Sequence, residues 1–466
     1  MKLAWHEQLL LTVALILLVV LACQYPLTSS FPMGGDAAAY IKNIKNLGKT
    51  PYHALGVIAG TWYPGIYAIL APASLLPFLG WPVKFMWWMA FGQIATGLSL
   101  GRAVWKTGGP MSSFLAMGLW ACTPIILTPM FEDGTLAQLW SLPWFILSLD
   151  SFLAGNIRKT GIYVLATFAT HPISAIVAAL SFIISSPFLL RQQSQLPVQQ
   201  KKLVSVCLAG LIIGFIAVIG FRNEILTLSF KPETSPYAKE LIFGSFERWF
   251  MLAIPGFYLL IRKMKKYTPS GAAVFSAFVF ISALLAFNDQ LGIGIWTKRL
   301  SPYLLIAAIW CAAYAFPRLL YKLTLNKAVA SLAAGIIISI HGIGTYTENQ
   351  RILGLYESPS RYLRTSPDEI AAIAWLQEYI EPGQHVITSI ANRHTEYLGA
   401  LTDIQYNELP DEWVQKKLQT KTYTAGELIL LLKRRESIPK ELMAASPHIV
   451  VFENKDTVVL SLEKLP

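Results

Sequence analysis

Long apolar runs separated by short basic loops recur through most of this chain, and that alternation leaves few folds open to it. A helix needs roughly 20 apolar residues to cross the hydrocarbon layer. Inside lipid, each segment must also satisfy its own backbone polar groups, which for runs of this length means helices packed into a bundle. Candidate spans cover residues 8–25, 82–105, 111–129, 135–154, 161–171, 173–190, 203–221, 249–262, 270–287, 300–316 and 327–345. This predicts an α-helical polytopic membrane protein with about 11 transmembrane helices. The fifth run is short and stops at His171-Pro172, where the chain is expected to break or tilt. Only 14% of residues are charged, against about 25% in soluble domains.

The loops orient the spans. With the N-terminus in the cytoplasm, the loops on that side carry Arg102 and Lys106, Arg158 and Lys159, Lys201 and Lys202, then the Arg262–Lys266 and Arg318–Lys327 groups. That is the positive-inside pattern, and it accounts for the net charge of +11 without invoking nucleic acid. Lys2 followed by the run to Cys23 could be read as a secretory signal, but an uncleaved first span agrees with every later loop. To keep the positive-inside bias, the run from Trp62 to Gly80 is read as lying in or dipping into the outer interface, the alternative being a true span with another span miscounted. Trp62, Tyr63 and Trp81 suit headgroup depth, and Pro64, Pro72 and Pro77 suit an irregular element. The four cysteines, Cys23, Cys122, Cys207 and Cys311, fall in separate apolar runs without metal-ligand spacing and read as small core residues.

An odd number of spans places the C-terminus outside. From about Tyr346 charge rises and long apolar runs stop. Ser366-Pro-Asp-Glu369 is a capping box with Pro at the first helical position, opening a helix to Ile380. His385–Ile390 reads as a strand, Thr424-Ala-Gly-Glu427 as the start of a helix through Lys433, and 449–460 as a hairpin about Asn454-Lys-Asp456. The expected organisation is a membrane domain over 1–345, with its first outer loop at 26–81, and a small extracytoplasmic α/β domain over 346–466.

Acids are scarce in the membrane half, so their positions carry information. Asp36 stands in Phe31-Pro-Met-Gly-Gly-Asp36-Ala-Ala-Ala-Tyr40, where the chain leaves its first span. Taken alone, it is a good helix N-cap. The helix after it sets Tyr40, Ile41, Ile44 and Leu47 on one side, a spacing suited to the interface. Glu132 and Asp133 lie at the next outward turn, on the same predicted face; alone, they read as a solvated turn. Asp150 is close enough to Arg158 and Lys159 for an interfacial pairing and gets no catalytic role. Gly292-Ile-Gly294 and Gly342-Ile-Gly344 lack the strand and helix of a nucleotide motif.

Several motifs together resemble the GT-C glycosyltransferases, the multi-span enzymes that use polyprenyl-phosphate sugars. Gly34-Gly35-Asp36 with Tyr40 resembles their first-loop acidic motif, and Trp62-Tyr63-Pro64-Gly65 their Tyr-Pro-Pro juxtamembrane helix, with one Pro missing. Glu132-Asp133 sits where a second acidic pair is expected. His171-Pro172 is similar to a His-Pro of some bacterial members, and Lys298-Arg299 before Pro302 to the basic residue opening a late span. Trp375-Leu376, Val386-Ile387 and Ala400-Leu401-Thr402 resemble their outer C-terminal domains.

The resemblance implies a GT-C-like fold with a juxtamembrane helix in the first outer loop. It implies transfer of a sugar from a polyprenyl-phosphate donor to a glycan, lipid or protein acceptor on the outer face of the cell membrane. Asp36 would be the base. Glu132 and Asp133 would orient the acceptor or, with Asp36, hold a divalent cation, which the sequence does not require. Arg299 with Lys298 would clamp the phosphate, a bidentate guanidinium suiting its oxygens, and His171 would donate to phosphate or acceptor. For Arg299 the plain alternative is an ordinary interfacial base, and for His171 a helix-terminal imidazole satisfied by a carbonyl. Rival functions are a transporter or flippase of lipid-linked sugars, which would favour paired repeats not found here, and a non-catalytic GT-C-like membrane protein.

Overall fold

The structure, a computed structural model, describes residues 3–29, 32, 35–47, 65–76, 78–123, 135–191, 247–267, 269–288, 290, 297–324, 326–357, 367–381, 384–389, 396–402, 404–420, 427–432 and 449–461. The predicted span at 203–221, Cys207, and the pair Glu132 and Asp133 lie outside the described residues.

Twelve helices form the membrane body among the described residues: α1 (Trp5–Thr28), α2 (Gly35–Leu47), α3 (Gly65–Leu70), α4 (Trp81–Gly108), α5 (Pro110–Ala121), α6 (Leu136–Leu153), α7 (Ile157–Thr170), α8 (Pro172–Arg191), α9 (Glu247–Tyr267), α10 (Pro269–Ala286), α11 (Thr297–Thr324) and α12 (Lys327–Glu357). Five of them have stretches long and apolar enough to cross a bilayer: Trp5–Thr28, Leu136–Leu153, Pro269–Ala286, Arg299–Thr324 and Lys327–Leu353. Within the run from Trp62 to Gly80, the described residues form α3 followed directly by a 3-10 turn over Ala71–Leu75 with Pro72 near its start; Trp62, Tyr63, Pro64 and Pro77 lie outside the described residues. The break at His171 is also present: α7 ends at Thr170 and Pro172 opens α8. Gly109, at φ 85, makes the single-residue turn between α4 and α5 in a backbone region that L side chains avoid.

α11 is the axle. It packs on α9, α10, α5 and α12, and Tyr303, Ile306, Ile309 and Trp310 along it are fully buried. Lipid supplies little hydrophobic drive between helices, so close backbone approach matters more than in water. Gly256 on α9 shows it: a methyl group there would overlap the backbone carbonyl of Cys311 on α11. Gly256→Ala is therefore expected to destabilise the body by about 1–3 kcal/mol. Thermal unfolding of the detergent-solubilised protein should show a lowered midpoint, and an unchanged midpoint would contradict this contact.

Asp150 does not pair with Arg158 and Lys159 as expected. It is buried at the end of α6, with Oδ2 2.7 Å from Lys106 Nζ and 3.8 Å from Arg102 Nε. The reason is packing: α4 and α6 run side by side and bring these ends together.

The composition change near Tyr346 falls inside α12, which continues unbroken to Glu357. Beyond it come α13 (Pro367–Tyr379), β1 (His385–Ser389), α14 (Glu396–Leu401), β2 (Tyr406–Leu409), α15 (Asp411–Thr420), β3 (Glu427–Leu432), β4 (Ile449–Glu453) and β5 (Thr457–Ser461). The sheet order is β2-β1-β3-β5-β4, with β1 parallel to β2 and β3, and β5 antiparallel to β3 and β4. The predicted helix from Thr424 to Lys433 is a correction: Glu427–Leu432 is the central strand. Its apolar run is flanked by strands on both edges, and burial in the sheet interior overrides the local helix-start signal. The 449–460 hairpin forms as predicted, its turn tied by Asn454 Oδ1 accepting from the Thr457 backbone N–H at 2.8 Å.

Candidate active site

Gly35 opens α2, so Asp36 is the second helical residue and not its N-cap. There its carboxylate still benefits from the exposed N–H groups of the first turn. The side chain turns toward α11, and Asp36 Oδ2 lies 3.5 Å from the guanidinium NH2 of Arg299. Both side chains are only partly covered, 44% and 31% exposed, so both can reach a ligand. Two of the residues singled out from sequence thus meet directly, although they lie on α2 and α11, far apart in the chain.

Arg299 stands on a rigid base. Its backbone carbonyl accepts from Gln138 Nε2 on α6. Gln138 also bonds the side chain of Tyr303, one turn further along α11. Tyr303 OH lies 2.5 Å from Ser174 Oγ on α8. Ser174 meets Ser141 Oγ, which donates back to the Gln138 carbonyl at 2.6 Å. Gln138, Ser141, Ser174 and Tyr303 are all buried. Inside an apolar bundle, a polar network with its partners matched fixes helix register. Here it pins α6, α8 and α11 beneath the guanidinium.

His171 is also buried, in the turn between α7 and α8, where its backbone N–H donates to the Thr167 carbonyl at 2.8 Å. Its imidazole lies within electrostatic reach of Arg299. Lys298 occupies the first turn of α11. Among the described residues, no group of three or more His, Cys, Asp or Glu side chains converges as a metal site would require.

α2 differs from the expected interfacial helix in one respect. Its face of Ala37, Ala38, Tyr40, Ile41 and Ile44 is covered by protein, not left to lipid. On one side Tyr40 stacks on Phe85 of α4 at 6.2 Å, and Asn43 Nδ2 donates to Tyr67 OH of α3 at 2.8 Å. On the other side α14 packs along the helix, and Lys42 Nζ donates to Tyr406 OH of β2 at 3.0 Å. A Cβ at Gly399 on α14 would come within 2.7 Å of the Tyr406 ring. Lys42, Tyr406, Gln138, Ser174 and Tyr303 were not singled out from the sequence. For Gln138 a signal existed, as an amide inside an apolar run needs an internal partner; for Tyr406 none did.

The helical body with its C-terminal α/β layer has the GT-C fold, and the chain is an integral membrane protein. It is similar to ArnT from Cupriavidus metallidurans. The apo crystal structure superimposes with a TM-score of 0.63 over 98% of this chain and 97% of ArnT, at 12% sequence identity. The structure of the same protein bound to undecaprenyl phosphate gives 0.61 over 98% of each chain, also at 12%. No family model matches the sequence, and no curated protein matches it.

Proposed function

We propose that the protein is a glycosyltransferase that moves a sugar from a polyprenyl-phosphate donor to an acceptor hydroxyl at the outer face of the cell membrane. The apposition of Asp36 and Arg299 at 3.5 Å carries this reading. The acceptor oxygen attacks the anomeric carbon, Asp36 takes the acceptor proton, and the bond from that carbon to the phosphate oxygen breaks. Polyprenyl phosphate leaves as an anion, held by Arg299. That ArnT was crystallised with undecaprenyl phosphate supports this donor class.

An incoming donor phosphate would compete with the Asp36 carboxylate for the Arg299 guanidinium. His171 adds a donor near the same phosphate. Glu132 and Asp133 would orient the acceptor or hold a divalent cation with Asp36. Residues 1–345 would form the catalytic body and 346–466 the outer domain, with the N-terminus cytoplasmic.

Reconstitution tests the function itself. The full chain in liposomes, given a polyprenyl-phosphate sugar and a pool of envelope acceptors, is expected to release polyprenyl phosphate and form a new glycosidic bond. Reorientation of intact donor across the bilayer without bond formation would establish a flippase instead.

A further inference from the structure

At the other end of the helical body, a cavity of about 390 Å³ opens between the ends of α4, α6 and α9. Counting from Gln138 to Asp150 along α6, it lies about 18 Å from the Arg299 site at 1.5 Å per residue. We propose that this cavity is a second lipid site, holding the phosphate of an anionic glycerophospholipid. The proposal is independent of the transferase reading.

The chemistry follows from the lining. Lys106 and Lys263 both face the cavity. Each ammonium has three donors. Lys106 Nζ gives one hydrogen bond to Asp150 Oδ2 at 2.7 Å, and Lys263 Nζ gives one to the Thr107 carbonyl at 2.7 Å. The remaining donors are enough for the non-bridging oxygens of one phosphodiester. Asp150 also lines the cavity and would oppose an anion. It is compensated by Lys106 and by Arg102 at 3.8 Å, so the lining keeps net positive charge.

The walls argue for a lipid over a free ion. Leu153, Leu260 and Met264 line the cavity beside the lysines, giving a phosphate-sized polar patch next to apolar surface. α6, which contributes Asp150 and Leu153, is long and apolar enough to cross the bilayer, and this is its terminus. A phospholipid arriving from the same leaflet would bring its phosphate to the lysines and its acyl chain to these side chains. Basic pockets between helix ends are a recurrent way of holding such headgroups.

Native mass spectrometry of the delipidated full chain, titrated with phosphatidylglycerol, tests it. The wild-type protein is expected to retain one lipid. Lys263→Met should weaken that binding by about tenfold, since it removes a charge-assisted donor, whereas Lys263→Arg should retain it. Ala154→Trp, at an exposed position on the cavity rim, should block binding with both lysines intact. Unchanged retention in Lys263→Met and Ala154→Trp would overturn the proposal. Displacement of the lipid by excess inorganic phosphate, with no need for the acyl chains, would overturn it in favour of a free anion.

Discussion

Asp36→Asn is expected to abolish glycan transfer while the protein accumulates and folds as before. The amide keeps the size of the side chain and can still accept from Arg299, so the first turn of α2 need not move. What it loses is the ability to take a proton, and general-base catalysis of this kind contributes about 10²–10⁴-fold. Transfer per mole of purified protein, measured with donor saturating, reports this directly. Undiminished turnover would remove Asp36 from the mechanism.

Arg299 gives the second large effect, and its structural setting makes the test clean. The network beneath it holds the backbone carbonyl, not the guanidinium, so replacing the side chain leaves the Gln138 hydrogen bond in place. Arg299→Met is expected to cut turnover by about 10²–10³-fold, the usual scale for removing one donor to a developing anion. Arg299→Lys keeps the charge but loses the planar fork, and should fall between. Because the two residues act as a unit, the Asp36→Asn, Arg299→Met double variant should be little worse than the poorer single one. Independent, multiplying losses would show that the ion pair is incidental to the chemistry.

The residues differ in how far the sequence exposed them. Asp36 and Arg299 stood out because Gly34-Gly35-Asp36 and Lys298-Arg299 before Pro302 resemble GT-C motifs; taken alone, Asp36 reads as a helix N-cap and Arg299 as an ordinary interfacial base. Their meeting was not legible. Nothing local to either stretch encodes the packing of α6, α8 and α11 that sets the guanidinium's position. The 3-10 turn at Pro72 and the break at His171 could be read because proline acts locally on the backbone. Glu427–Leu432 was misread for the opposite reason: a Thr-x-x-Glu start signal is local, while a central strand is decided by neighbours distant in sequence. Asp150 was assigned to the nearest bases along the chain, whereas Lys106 and Arg102 reach it across a helix pair.

One consequence follows from α2 being walled in. A surface-lying helix would float with the lipid, rising or sinking as acyl chains lengthen or shorten. This one is wedged between Tyr67 and Phe85 beneath and Tyr406 above, so its height is set by neighbours that move with it. The carboxylate's position is then fixed by protein contacts, and the C-terminal layer serves as one jaw of that mounting.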